Sequence, residues 1–97
     1  MTILYLQRLN EFGKKHADAR KSIETWRVTV ERASWKNRHD VISDFPKAKM
    51  IKNNRARFEI KHNNYRIIAY IFYDDAYLEI RFIGTHAEYD KINAETI

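Results

Sequence analysis

The residues best suited to proton transfer lie in one short run near the C-terminal end, Gly84-Thr85-His86-Ala87-Glu88-Tyr89-Asp90-Lys91. An imidazole titrates near neutrality, so His86 can give or take a proton during a reaction. Tyr89 follows at i+3 and Asp90 at i+4, which on a helical turn places a phenol and a carboxylate beside the imidazole. Asp90 could then orient the ring. The plainer alternative is a capping box, Thr85 with Glu88, followed by exposed polar residues and an idle histidine.

A second group of residues is cationic. Residues 47–66 carry seven basic side chains, Lys47, Lys49, Lys52, Arg55, Arg57, Lys61 and Arg66, against one acid, Glu59. Strand alternation predicts Arg55, Arg57 and Lys61 on one face and Phe58 and Ile60 on the other. Such a face can hold a phosphate chain by charge, and guanidinium forks can clamp a phosphate through paired bonds. The same residues would also serve as the ordinary solvent side of a half-buried strand. Arg66 stands apart because it follows Tyr65 at the start of Ile67-Ile68-Ala69, the most apolar run of the chain. A cation there needs a partner or an opening to water. Pairing with Glu79 or Asp90 would satisfy it, and so would a phosphate in a cleft.

Other chemistries find no support. The chain lacks cysteine, which removes disulfides, thiolate metal sites and a thiol nucleophile. His16, His39 and His62 show no ligand spacing with one another or with His86, so no metal site is expected. There is no glycine-rich phosphate loop and no serine at a nucleophile elbow. Trp26 and Trp35 read as core or interface residues. The chain has 97 residues and a formal charge of +5, so residues 1–97 are expected to form one domain with an anionic partner. Hydrophobic residues at 44% and aromatics at 13% suffice for one compact core. The apolar runs fall short of the roughly 18 residues of a membrane span. The N-terminal residues lack the apolar core of a secretory signal, so a cytoplasmic protein is expected.

Periodicity predicts the elements that must position these groups. Residues 2–6 read as a short strand. Leu9 and Phe12, then Ile23, Trp26 and Val30, have helical spacing and predict two helices joined near His16 to Asp18. Asp18 is the expected N-cap of the second, which runs to about Arg32. Asn37 should cap a short helix over 38–44, with Val41, Ile42 and Phe45 facing inward, and Pro46 ends it. The period then changes to two. A three-stranded antiparallel meander is expected, with a turn at Asn63-Asn64, a central strand over Tyr65–Tyr73, and a turn at Asp74-Asp75. In the last strand, Tyr77–Ile83, Leu78, Ile80 and Phe82 share a face. Gly84 lets the chain bend into a short helix over 86–92. Helices on one side of a mostly antiparallel sheet make an α+β fold.

The ending RFIGTHAEYDKI, preceded by NNYRIIAYIFY and DFPKAKMIKNNRARFEI, resembles the HigB-type toxins of bacterial type II toxin–antitoxin pairs, within the RelE-like superfamily. Ala33-Ser34-Trp35-Lys36-Asn37 fits as well, and the likeness covers essentially the whole chain. The resemblance implies a RelE-like domain: a short N-terminal strand, a two-helix hairpin plus a short helix on a mostly antiparallel sheet, and a short C-terminal helix. It implies an mRNA endonuclease acting at the ribosome, without metal or cofactor, by attack of a ribose 2′-hydroxyl on the adjacent phosphate. It implies neutralisation by a HigA-type helix-turn-helix antitoxin, operator DNA being met only through the toxin–antitoxin complex.

By the same likeness Arg66 meets transition-state phosphate, Arg57 binds phosphate and Lys52 is a further RNA contact; Arg55 and Lys61 join them only on the strand-alternation reading of the basic face above. His86 is implied as general acid or base. Tyr89 is its partner, stacking on a base or sharing proton transfer. Glu59 departs from the pattern, standing where some relatives carry a basic residue. It could take a proton, or simply pair with Arg57 or Lys61. Two other functions compete: a non-catalytic basic module that binds RNA or an acidic protein, and a toxin of the same fold acting on DNA gyrase.

Overall fold

The computed structural model describes residues 1–97. Strand β1 (Thr2–Leu4) leads into helix α1 (Gln7–Lys15) and, after a 3-10 turn at Ala17–Ala19, helix α2 (Arg20–Arg32). Helix α3 (Arg38–Asp44) precedes strands β2 (Lys49–Ile51), β3 (Arg55–Ile60), β4 (Tyr65–Phe72) and β5 (Tyr77–Thr85), and α4 (His86–Tyr89) follows directly. The five strands form one sheet in the order β1-β5-β4-β3-β2, antiparallel except for the parallel pair β1 and β5. The expected α+β architecture is therefore present. No helix is long and apolar enough to cross a membrane.

Leu9, Phe12, Ile23, Trp26 and Val30 from the helices join Phe58, Ile60, Ile67, Ala69, Ile71, Leu78 and Ile80 from the sheet in one buried cluster. The helical stripe and the strand alternation meet there as their periods require. Trp35 stacks parallel to Phe58, and its indole N–H donates to Asp44 at 2.8 Å, which ties the α2–α3 connection to α3. Asn37 caps α3 as expected, accepting from the amides of His39 and Asp40.

Several expectations need correction. The first strand stops at Leu4, and the terminal helix spans only His86–Tyr89. Strand β2 escaped notice because three residues are too few to show alternation, so the meander gains a strand beyond the expected three. The β3–β4 turn places its positive φ angles at Lys61 (50°) and His62 (65°), not at Asn63 and Asn64. Lys61 thereby leaves the strand face predicted for it. A bulge between Ile68 and Ala69 of β4 offsets β5, so that Phe82 pairs with Ile68 and leaves the face of Leu78 and Ile80.

Asp18 is not the N-cap of α2; Ala19 holds that position without a side-chain cap. The Asp18 carboxylate instead accepts from the Tyr65 hydroxyl at 2.8 and 2.9 Å and from Lys61 Nζ at 3.0 Å. The bond from Lys61, then that from Tyr65, holds the Asp18 carboxyl below the usual carboxylate range, while Asp18 and burial push the Tyr65 phenol up. A depressed carboxylate stabilises the fold above its unfolded pKa and loses that contribution as pH falls through its folded pKa. A raised phenol stabilises below its unfolded pKa and loses the contribution as pH rises through its folded pKa. Asp18→Asn should therefore lower the melting temperature most between about pH 5 and pH 9, with the deficit shrinking in acid and in strong alkali. Melting curves across that range check it.

Candidate functional site

Alternation sends Arg55, Arg57, Glu59, Arg66, Ile68, Tyr70 and Phe72 to the sheet face opposite the helices. Register sets them in rows: Glu59 beside Arg66 and Gly84, then Arg57 beside Ile68 and Phe82, then Arg55 beside Tyr70 and Glu79. Helix α4 packs on β4 and β5 at the end of this face marked by the Arg66 row.

Arg66 is only 8% exposed. Its Nε donates to Asn63 Oδ1 at 3.0 Å, and its guanidinium carbon lies 4.6 Å from the centre of the Tyr89 ring. Neither acid considered as a counter-ion reaches it. Glu79 pairs with Arg81, and Asp90 lies with Oδ2 3.3 Å from His86 Nδ1. Glu59, the cross-strand neighbour of Arg66, makes no ion pair with it either, so this nearly buried cation has a neutral amide and an aromatic face as its partners, and its terminal nitrogens are left for an incoming anion.

Beside it, Arg57 is half-buried, and its Nε has no hydrogen-bond partner. Glu59 likewise leaves Oε2 buried and unpaired. Glu59 pairs with neither Arg57 nor Lys61, since Lys61 is engaged by Asp18. His86 and Asp90 are both exposed, and their contact leaves imidazole Nε2 unengaged. Asp90 thus lies close enough to His86 to form an ion pair when the ring is protonated. Thr85 and Glu88 close the capping box beneath them: Glu88 Oε1 accepts from the Thr85 amide at 2.8 Å, and Thr85 Oγ1 accepts from the Glu88 amide at 3.2 Å. The bond from the Thr85 amide, then the Thr85 side chain, holds the Glu88 carboxyl below its usual range.

The remaining expected residues lie elsewhere. Arg55 donates through Nε and Nη2 to the Ile97 carbonyl at 2.9 and 2.7 Å and covers the Tyr70 ring, so the C-terminal residues occupy it. Lys52 sits exposed on the β2–β3 turn, at the other end of β3 from the Arg66 row. Lys61 points to the helix side. Of the expected basic face Arg57 and Arg66 remain, with exposed Lys49 of β2 paired beside Arg57. No group of three or more His, Asp or Glu side chains is placed to hold a metal ion.

Sequence reasoning missed Asn63 and Phe82. The bulge that turns Phe82 toward Tyr89, at a ring separation of 6.3 Å, has no signature in the residue pattern. Gly84 also has a different role from the expected bend. It lies within β5 without positive φ, and a Cβ there would stand 2.5 Å from Phe82 Cζ and 3.2 Å from Glu88 Cβ. Gly84→Ala must therefore displace the Phe82 ring, and with it the Tyr89 plate behind Arg66. We expect it to lower activity by roughly 10-fold, since small misplacements of reacting groups cost this much. Circular dichroism should remain that of the wild type.

Together the site offers two guanidiniums for an oxyanion, an imidazole with a carboxylate behind it, and a phenol whose hydroxyl has no partner within the protein. That set can hold a phosphate and move protons around it. A family model described as HigB toxin, the RelE-like toxic component of a toxin–antitoxin system, matches residues 19–92. The matched span contains Arg57, Arg66, His86, Tyr89 and Asp90. No curated protein matches the sequence.

Proposed function

The chain belongs to the HigB toxin family of RelE-like toxic components, and from that premise we propose that it is a metal-independent endoribonuclease that cuts mRNA on the ribosome. The observation that carries the proposal is Arg66, a nearly buried guanidinium in no ion pair, next to Arg57 on the sheet and in contact through Tyr89 with the helix that carries His86 and Asp90. The ribose 2′-oxygen attacks the adjacent phosphorus and loses its proton. The bond to the 5′-oxygen breaks and that oxygen gains a proton, leaving a 2′,3′-cyclic phosphate and a 5′-hydroxyl. Arg66 and Arg57 stabilise the charge that builds on the non-bridging oxygens, where preformed donors contribute most. His86, steadied by Asp90, handles one of the two protons, and Tyr89 supports Arg66 through its ring.

Membership of this family implies an antitoxin partner. In our reading that partner is a HigA-type helix-turn-helix protein, and the pair meets operator DNA as a complex in the cytoplasm. The decisive experiment is primer extension on messages incubated with the full chain, with and without translation. Cuts confined to translated message, ending in a 5′-hydroxyl, are expected. Equal cutting of free RNA would remove the ribosome from the proposal. No cutting in either condition would exclude the RNase and leave a binding module or a gyrase inhibitor, which a supercoiling assay separates.

A further inference from the structure

We propose that Asn63 is the positioning residue for Arg66, setting which edge of its guanidinium faces the substrate phosphate. The inference rests on the phosphate-binding role given to Arg66 above. A guanidinium is a planar fork whose Nε and terminal nitrogens can pair with an acceptor along different edges. Asn63 Oδ1 takes the Nε–H at 3.0 Å, and the Tyr89 ring lies against the guanidinium with its centre 4.6 Å from Cζ. What remains for substrate is the edge between the two terminal nitrogens, which can clamp two phosphate oxygens at once.

The turn that carries Asn63 is itself anchored. The Lys61 carbonyl accepts from the amides of Asn63 and Asn64 at 2.9 and 3.1 Å. Asp18 then ties both flanks, accepting from Lys61 Nζ on one side and the Tyr65 hydroxyl on the other. The α1–α2 connection thus fixes the β3–β4 turn, the turn fixes Asn63, and Asn63 fixes Arg66. An amide suits this position better than a carboxylate. It orients the guanidinium as a neutral acceptor, whereas Asp would set a negative charge against the cation meant for phosphate and weaken its hold on substrate.

Three substitutions, one of them also made in an Arg66→Ala background, and two readouts test the proposal in the full chain. Asn63→Ala should lower the saturated cleavage rate roughly 10- to 100-fold, as for a misaligned reacting group, with little change in half-saturating substrate. In an Arg66→Ala background the same change should add no further loss, because both act through one group. Asn64→Ala, in the same turn without a side-chain bond to Arg66, should leave the rate unchanged. Asn63→Asp should raise the half-saturating concentration several-fold while keeping Arg66 oriented. The second readout needs no activity. In nitrogen-15 spectra, the Arg66 Nε–H should be a distinct, slowly exchanging signal in the wild type, Asn64→Ala and Asn63→Asp, and should be lost in Asn63→Ala. Persistence of that signal in Asn63→Ala would overturn the inference. So would a wild-type rate in Asn63→Ala, or an equal rate loss in Asn64→Ala. Absence of cleavage by the wild type would instead defeat the RNase reading, and the spectra alone would then decide the role of Asn63.

Discussion

Arg66→Ala is expected to reduce message cleavage by on the order of 10²- to 10³-fold, the cost of removing one preformed donor from an oxyanion site. Induction of the variant in cells should no longer arrest growth, while binding to the antitoxin stays measurable. Arg66→Lys should recover little, because an ammonium cannot present two donors along one edge or lie flat on the Tyr89 ring. The stability cost should be small. Arg66 is 8% exposed and makes no ion pair with its cross-strand neighbour Glu59, so its removal forfeits the Asn63 hydrogen bond and the Tyr89 contact. The melting temperature of Arg66→Ala should stay close to that of the wild type. A variant that is stable yet inactive marks a side chain kept for chemistry rather than for the fold. Full toxicity of Arg66→Ala would refute its placement in the site.

His86→Ala carries the second large effect, about 10²- to 10⁴-fold for loss of a positioned acid or base. The chemistry can also tell which proton His86 moves. In an RNA whose scissile 5′-oxygen is replaced by sulfur, the leaving group departs without an acid. If His86 is the general acid, His86→Ala should cleave this substrate nearly as fast as the wild type. If His86 is the base, the deficit remains. Asp90→Asn should reproduce the direction with a smaller loss, since the amide still meets Nδ1 but no longer supports a charged ring. Wild-type rates in His86→Ala on the natural message would remove His86 from the mechanism.

Much of this was legible in the residue pattern because it depends on local rules. The capping box at Thr85 and Glu88, the Asn37 cap, the helix hairpin and the alternation of β3 and β4 each follow from a few adjacent side chains. So does the proximity of His86 and Asp90, which are one helical turn apart. The run of bases after Pro46 falls largely on this sheet and the turns beside it. It overcounted the basic face because charge density along a chain does not show where each side chain is spent. Lys61 goes to Asp18 and Arg55 to the Ile97 carbonyl, contacts that span 43 and 42 residues.

The sequence by itself therefore determined the fold class, the family resemblance and the identities of the residues able to do chemistry. The tertiary structure alone decided which of them meet. It left Arg66 in no ion pair, turned Phe82 to the outer face through a one-residue bulge, and gave Gly84 a steric reason for its missing side chain. It also brought Asn63 and Tyr89 to two sides of one guanidinium from separate segments. The physical reason is that helix and strand periods are set by neighbours a few residues away. Pairing partners, bulges and the satisfaction of buried charge are set by whatever the folded chain brings within a few ångströms.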